Sequence, residues 1–196
     1  GISGLVKNMR NEQQMMRDVD KAIENREFFV MYQPIIQVRS RKIVSAEALV
    51  RWQKADGTIV SPGDFVPVFE KNGFVSKLDL YVAEEVCRYQ SSRKRAGKPI
   101  VPISVNLSRV DFTNRNLNND ILALLKEYDL TPDCLKLEIT ESAYMDRPQE
   151  LTEAIAAFRE SGFKVLMDDF GSGFSSLNML KDVSADILKI DMRFMD

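Results

Sequence analysis

The sequence of 196 residues contains no histidine and only two cysteines. The missing histidine excludes Ser-His-Asp and Cys-His catalysis, histidine-ligated zinc sites, and cleavage of phosphate esters by paired histidines. The cysteines, Cys87 and Cys134, lack C-x-x-C spacing, so we expect two reduced thiols rather than a redox or zinc site. What remains for chemistry is carboxylate, amide, lysine and arginine side chains, whose oxygen ligands suit Mg²⁺, Mn²⁺ or Ca²⁺.

The sequence also lacks an excess of positive charge and a long apolar run. Its 27 lysines and arginines against 29 acidic residues give a net charge of −2, so we expect no nucleic-acid partner and no membrane contact by this segment. It has no apolar stretch of the roughly 18 residues that span a bilayer and no cleavable leader, which predicts a cytoplasmic location. The chain begins with Gly1 rather than methionine, which indicates part of a longer protein that other segments could anchor to a membrane.

Runs rich in valine, isoleucine and leucine alternate with helical patterns from residue 25 onward. Their short connections predict an α/β fold in which helices cover a mainly parallel sheet. We assign "LKLEITESAY" to one β-rich run and "SSLNMLKDV" to a short helix, and we expect Gly97 and Pro99 to end a long helix. Residues 1–24 predict a helix from an upstream region, packed by its C-terminal half on the domain formed by residues 25–196.

The stretch "KVLMDDFGSGFSSL" ends an apolar strand in two adjacent carboxylates, Asp168 and Asp169. Two such charges about 4 Å apart repel by roughly 4 kcal/mol at an effective dielectric constant near 20. One carboxylate could take up a proton, local hydrogen bonds could hold the two apart, or a cation could lie between them.

Polar side chains also recur near the ends of the other predicted strands, where an apolar core has no use for them. They are Glu47, Arg51, Asn106, Glu138, Asp168, Asp169, Lys189 and Asp191. The side-chain period of two puts Ser104 with Asn106 and Glu138 with Thr140 on one face. Acids and an amide on successive strands are what a metal site at the rim of a (β/α)₈ barrel requires.

Each of these residues has a simpler interpretation when taken singly. Asp169 before Gly-Ser-Gly could belong to a turn or cap a helix, and Asn106 could bind a loop backbone. Glu138 with Glu141 could begin a capped helix, and Lys189 could extend along the sheet toward solvent. Because polar residues recur near the ends of successive predicted strands, we favour a metal-dependent site.

Six motifs together resemble the EAL-domain family of cyclic-di-GMP phosphodiesterases. In chain order they are "YQPI" (32–35), "EALVRW" (47–52), "SVNLS" (104–108), "LEITES" (137–142), "DDFGSGFSSL" (168–177) and "LKID" (188–191). The resemblance implies a TIM-like (β/α)₈ barrel whose first strand is antiparallel to the others. It also implies hydrolysis of cyclic-di-GMP to linear pGpG with Mg²⁺ or Mn²⁺ in bacterial second-messenger signalling.

The resemblance assigns roles to individual positions. Four residues match ligands of one metal ion, and Asp169 joins Asp168 at a second: Glu47, Asn106, Glu138 and Asp168. Lys189 matches the lysine that contacts the nucleophilic water, so Lys189 and Asp169 are the implied catalytic residues. Four residues match substrate contacts, the last two more weakly: Gln33, Arg51, Asp191 and Leu49. The segment after Asp169 matches a loop that shapes the metal site and a dimer contact, and relatives carry an upstream GGDEF or sensory domain.

One departure from the family pattern concerns the end of the chain. The pattern continues through two further strands, one of which carries a glutamate for the second metal, whereas this sequence ends at Asp196. We therefore expect a barrel that lacks its last two strands, with weak or no activity on its own and an exposed sheet edge that pairs with another copy or destabilises the monomer. The alternative functions are a non-catalytic cyclic-di-GMP receptor and a dimerising module.

Overall fold

The computed structural model describes residues 1–170 and 187–190, and the side chains of residues 1–167. The predicted helix "SSLNMLKDV" and the predicted site residue Asp191 lie outside the described residues. None of the described helices combines the length and the hydropathy that crossing a membrane requires.

Helices and strands alternate along the described chain, as the sequence pattern predicts. The helices are α1 (Ile2–Glu24), α2 (Pro62–Asn72), α3 (Val75–Arg95), α4 (Leu117–Glu127), α5 (Glu141–Asp146) and α6 (Pro148–Glu160). The strands are β1 (Phe28–Ile36), β2 (Ile43–Gln53), β3 (Ile59–Val60), β4 (Ile103–Leu107), β5 (Leu135–Thr140), β6 (Lys164–Phe170) and β7 (Ile187–Ile190). Two short 3₁₀ helices, Arg109–Thr113 and Pro132–Cys134, follow β4 and precede β5.

Local sequence chemistry sets the helix boundaries. The Ser61 hydroxyl accepts a hydrogen bond from the Gly63 amide (3.3 Å) ahead of α2, and Gly73 ends that helix with a left-handed φ of 81°. Gly97 has φ 70° two residues after α3, which confirms that the glycine there ends the long helix. The run "LKLEITESAY" is not one β element, because Thr140 caps a new helix by accepting a hydrogen bond from the Ala143 amide (3.1 Å).

The described strands form one sheet in the order β1-β2-β4-β5-β6-β7, with β3 paired to β2. β1 runs antiparallel to β2, whereas each later neighbour in this order, from β2–β4 to β6–β7, is parallel. Helices connect β2 to β4, β4 to β5 and β5 to β6, which is the arrangement of a TIM-like barrel. The antiparallel first strand confirms the predicted variant of that fold.

The main hydrophobic core lies between the helices and the outer face of the sheet, which we define as the face formed by alternate residues such as Ile103, Val105 and Leu137. These side chains are at most 1% exposed, and Ile155 and Phe158 of α6 pack in the same cluster. On β2, β4, β5 and the described part of β6, the helices therefore bury alternate residues and leave the others to the inner face of the sheet.

A second core joins α1 and α2 to the first two strands through aromatic rings. Phe28, Trp52 and Phe65 are fully buried, and the ring centroids of Phe28 and Trp52 lie 4.9 Å apart. Val19 and Ala22 bring the C-terminal half of α1 into this core, whereas the exposed apolar residues of its first half are Ile2, Leu5, Val6 and Met9. The C-terminal half of α1 therefore packs on the domain as predicted.

Both cysteines are free thiols, as the spacing predicts. Cys87 lies in the main core, where burial raises the pKa of its thiol to about 12. At neutral pH this thiol is protonated, so Cys87 contributes packing and little reactivity.

We predict that Phe65→Ala lowers the free energy of unfolding by about 3–5 kcal/mol, because it leaves a cavity among packed rings. Urea denaturation followed by the fluorescence of Trp52, the single tryptophan, measures the change. Val38→Ala is the control, since Val38 is 90% exposed and its truncation should cost less than about 0.5 kcal/mol. Equal effects of the two substitutions would contradict the assignment of this core.

Candidate functional site

The inner face of the sheet is polar where the outer face is apolar. Strand register places Gln33 opposite Glu47, and Glu47 opposite Ser104. Two residues further along β4, Asn106 lies opposite Glu138 of β5. Strands β1, β2, β4 and β5 thus place these predicted residues on the inner face, in two neighbouring rows of the strand register.

Glu138 is the most deeply buried acid of these rows, with 1% of its surface exposed. Moving a carboxylate out of water is costly unless hydrogen bonds or charges compensate it, so its place in the inner face needs polar surroundings. Asn106, its register partner, is exposed, and Glu47 is partly buried. The Asn106 amide and the carboxylates of Glu47 and Glu138 thus present oxygen atoms on three neighbouring strands of the sheet.

The backbone of β6 is irregular where the two adjacent aspartates stand. Met167 pairs with Leu188 and Phe170 pairs with Ile190, so two residues of β6, Asp168 and Asp169, lie opposite the single Lys189 of β7. The register therefore shifts by one residue at this point, as it does at a β-bulge, a feature that recurs next to active sites. The bulge places the backbone of the three predicted catalytic or ligand residues at one point of the sheet, and Asp168 also pairs with Thr140 of β5.

A cavity of about 450 Å³ opens beside these rows, between the ends of β2, β4 and β5, one side of α2 and the first turn of α3. The predicted residues Leu49, Arg51 and Asn106 line it together with Thr140. The Arg51 guanidinium donates a hydrogen bond to the Val50 carbonyl (2.9 Å), which leaves further donors of its planar fork for other partners. Gln33 is exposed on β1 and is not among the residues of this cavity.

The inner face also carries two lysines in neighbouring strands, in the same register row as Glu47. Lys136 of β5 pairs in register with Lys164 of β6 and with Ser104 of β4. Burial lowers the pKa of Lys136, and the positive charge of Lys164 lowers it further. The inner face therefore carries a pair of like charges in the register row of Glu47, with Lys136 two residues before Glu138 on β5.

A sequence model of the EAL domain matches residues 16–196. The chain belongs to the EAL domain family. The probable cyclic di-GMP phosphodiesterase PdeB of Escherichia coli strain K12 is 36% identical to it over 96% of this chain and 36% of that protein. The bifunctional diguanylate cyclase/cyclic di-GMP phosphodiesterase MucR of Pseudomonas aeruginosa is 31% identical over 99% of this chain and 28% of its own length. The chain thus spans about a third of the length of these relatives.

The fold is that of solved EAL domains. The structure of the PaMucR phosphodiesterase in complex with c-di-GMP has a TM-score of 0.84 at 32% identity, and the match covers 93% of this chain and 74% of that one. Together with the antiparallel pairing of β1 and β2, this likeness confirms the predicted class, a TIM-like barrel.

The donor atoms of the EAL inner face fit a hard divalent cation. Carboxylate and amide oxygens are the ligands that Mg²⁺ and Mn²⁺ prefer, and Glu47, Asn106 and Glu138 supply both kinds. Within residues 1–167, whose side chains are described, no three acidic or cysteine side chains converge as a metal-binding group. The side chains of Asp168 and Asp169, which the sequence analysis adds to the set, lie outside that part of the chain.

The sequence analysis missed two polar groups at this end of the EAL domain. Asp79 of α3 lines the cavity, and Asp111, which is 2% exposed, lies beside it. The spacing Ser108-x-x-Asp111 resembles a capping box and could have indicated the second residue. Glu141 is also buried, at the first position of α5, and the sequence analysis considered it only in the alternative interpretation that it begins a helix with Glu138.

We predict that Lys136→Met raises the free energy of unfolding at pH 7. A lysine whose pKa is lowered in the folded state destabilises that state at pH values below the lowered pKa, and the penalty fades as the pH rises toward the ordinary lysine value. The stabilisation by Lys136→Met should therefore shrink between pH 7 and about pH 10. Urea denaturation at several pH values measures it, with the exposed Lys98→Met as control; equal gains from both variants would contradict the prediction.

Proposed function

We propose that the protein hydrolyses cyclic-di-GMP to linear pGpG with Mg²⁺ or Mn²⁺, in bacterial second-messenger signalling. The observation that carries this proposal is the register of Asn106 with the buried Glu138, close to Glu47 and to the bulge at Asp168 and Asp169. The similarity to relatives that are named as cyclic di-GMP phosphodiesterases supports the proposal.

The residues that would hold the metal ions come from four neighbouring strands. Glu47, Asn106, Glu138 and Asp168 would bind the first ion, and Asp169 would join Asp168 at the second. When bound, two such ions lower the pKa of a coordinated water and stabilise the attacking and leaving oxygens of a phosphodiester. The bulge in β6 suits this assignment, because consecutive residues of a regular strand point to opposite faces of the sheet.

The remaining residues of the proposed site act on the substrate and on the proton. Lys189, opposite the bulge, would contact the nucleophilic water and assist proton transfer. Arg51 would bind a phosphate oxygen pair with its planar fork, from the wall of the cavity beside Leu49. Gln33 and Asp191 would complete the substrate contacts.

Several properties of the whole protein stay predictions alongside this one. They are a cytoplasmic location, a homodimer, an upstream GGDEF or sensory domain, and the division into a linker helix (1–24) and a barrel domain (25–196). The binding of cyclic-di-GMP without hydrolysis would select the receptor function instead, and the absence of binding would select a dimerising module.

We predict that Glu138→Gln weakens Mn²⁺ binding by at least about tenfold, because it removes the buried charge that the ion would neutralise. Isothermal titration with Mn²⁺ measures the affinity of the chain and of the variant. Glu153→Gln, an exposed position on α6, is the matched control and should bind like the parent chain. Equal Mn²⁺ affinity of parent and Glu138→Gln would refute the assignment of this ligand.

We predict that Lys189→Ala lowers the turnover of cyclic-di-GMP by about 10²- to 10⁴-fold while nucleotide affinity changes little, because a positioned proton-transfer group acts on the chemical step. The full-length protein is the material for this assay, which separates kcat from the dissociation constant. Lys164→Ala is the control, since Lys164 lies on the same face at the start of β6. If affinity falls as far as turnover, Lys189 is a substrate contact.

A further inference from the structure

Ser108 is held by two carboxyl groups that come from different elements. Its backbone amide donates to the Asp111 Oδ2 atom (2.7 Å) and to the Asp79 Oδ2 atom (3.2 Å), and its hydroxyl donates to the same Asp79 oxygen (2.8 Å). Asp111 belongs to the 3₁₀ helix that follows β4, whereas Asp79 belongs to α3. The turn at the end of β4 is therefore tied to a distant helix as well as to its own continuation.

The two carboxyl groups also bind each other, which requires a proton between them. Burial raises the pKa of Asp79 well above its ordinary value, and the hydrogen bond and charge of Asp111 raise it further. Burial also raises the pKa of Asp111, against hydrogen bonds from Asp79, Ser108 and Ser76 that lower it. With the proton on Asp79, its hydroxyl donates to the Asp111 carboxylate while its other oxygen still accepts from Ser108.

Capping the turn alone does not account for this pair. Asp111 already accepts the hydrogen bond of the Ser108 amide within the same turn, as in a capping box, where Ser108 is the N-cap of the 3₁₀ helix. A second acid from α3 adds the cost of placing two carboxyl groups side by side away from water. Its addition links the position of α3 to the position of the β4 end.

Asn106 lies two residues before Ser108, the residue that joins α3 to the end of β4. Asn106 is the last inner-face residue of β4, which ends at Leu107, and both Asn106 and Asp79 line the cavity of the proposed site. Leu107 points to the main core and fixes the strand from the outer face, whereas Ser108 fixes the chain where it leaves the strand. The chain is thus held at the two residues that directly follow Asn106, which limits the movement of the Asn106 backbone.

We propose that Asp79 and Asp111 are positioning residues that hold Asn106 in place for the metal ion by clamping Ser108, an inference that rests on the proposed role of Asn106 as a ligand. Neither acid is assigned to the ion or to the nucleotide. Partners of this kind, one step removed from a metal, typically change its affinity by about 10- to 100-fold when they are lost.

Two substitutions at one position test the proposal. Asp79→Asn keeps the shape of the protonated acid, because its amide nitrogen donates to Asp111 and its oxygen accepts from Ser108. Asp79→Leu has a similar volume but can make neither hydrogen bond. If Asp79 positions Ser108, Asp79→Asn should keep the Mn²⁺ affinity and Asp79→Leu should lose it. If the Asp79 carboxylate bound the metal or the substrate directly, both variants should lose affinity.

A buried polar residue of the same helix supplies the matched control. The Gln90 side chain, 1% exposed, donates to the Val101 carbonyl (2.6 Å) just before β4 begins, at the opposite end of that strand. Gln90→Leu therefore removes a buried link between α3 and β4 without touching the cavity. This variant shows how the loss of a buried hydrogen bond by itself affects amide exchange and Mn²⁺ affinity.

Two measurements are made on the chain and on the three variants: hydrogen exchange of the amides of residues 106–109 without metal, and the dissociation constant for Mn²⁺. We expect Asp79→Leu to speed the exchange about tenfold and to weaken Mn²⁺ binding about 10- to 100-fold, with Asp79→Asn and Gln90→Leu close to the parent chain. Unchanged exchange or unchanged Mn²⁺ affinity in Asp79→Leu, or equal losses in both Asp79 variants, would overturn the proposal. If the parent chain itself binds no Mn²⁺, the proposed ligand set fails, and the exchange of Ser108 in Asp79→Leu still decides whether the pair clamps the turn.

Discussion

The burial of alternate strand residues under the helices constrains the rest of the structure. Ile103, Val105 and Leu107 of β4 all point into the main core, so Ser104 and Asn106 have to point the other way. A shift of one residue would bury Asn106 among apolar side chains and expose Val105, at a cost of several kcal/mol. The same apolar packing that stabilises the fold therefore fixes which side chains reach the inner face. The site needs no separate device to bring Asn106 next to Glu138.

Regular alternation of side chains cannot place two consecutive acids on the same face of a strand. At Asp168 and Asp169 the pairing of β6 departs from this regular geometry. Asp168 and Asp169 would lie on opposite faces of an ideal strand, one of them toward the apolar core. The bulge opposite Lys189 breaks the alternation at this position only, since Met167 on one side and Phe170 on the other keep their partners. An irregularity that disrupts part of the ladder costs stability, and such irregularities recur next to active sites.

Sequence reasoning found what depends on periodicity and missed what depends on distant packing. Apolar runs predicted β4, β5 and β6, and the period of two predicted that Ser104 and Asn106 share one face of β4, because both follow from the local chain. The strand "LKLEITESAY" was assigned too long, since the cap at Thr140 looks like a β-branched strand residue until its hydrogen bond is seen. Asp79 was overlooked for a different reason. On an amphipathic helix one more acid is an ordinary surface residue, and only the tertiary fold brings it to Ser108.

Helix α3 holds the two hydrophobic cores in a fixed relation to the cavity. Val75 and Leu78 belong to the aromatic core around Trp52, whereas Val82 and Val86 belong to the main core behind the sheet. Asp79 lies between these two sets, at the junction where both cores meet the cavity, so any shift of α3 moves its carboxyl group relative to Ser108. The packing of both cores thus sets the geometry of the turn after β4. Conversely, a change in that turn has to be accommodated by a helix that is anchored in both cores, so the close packing of these cores opposes it.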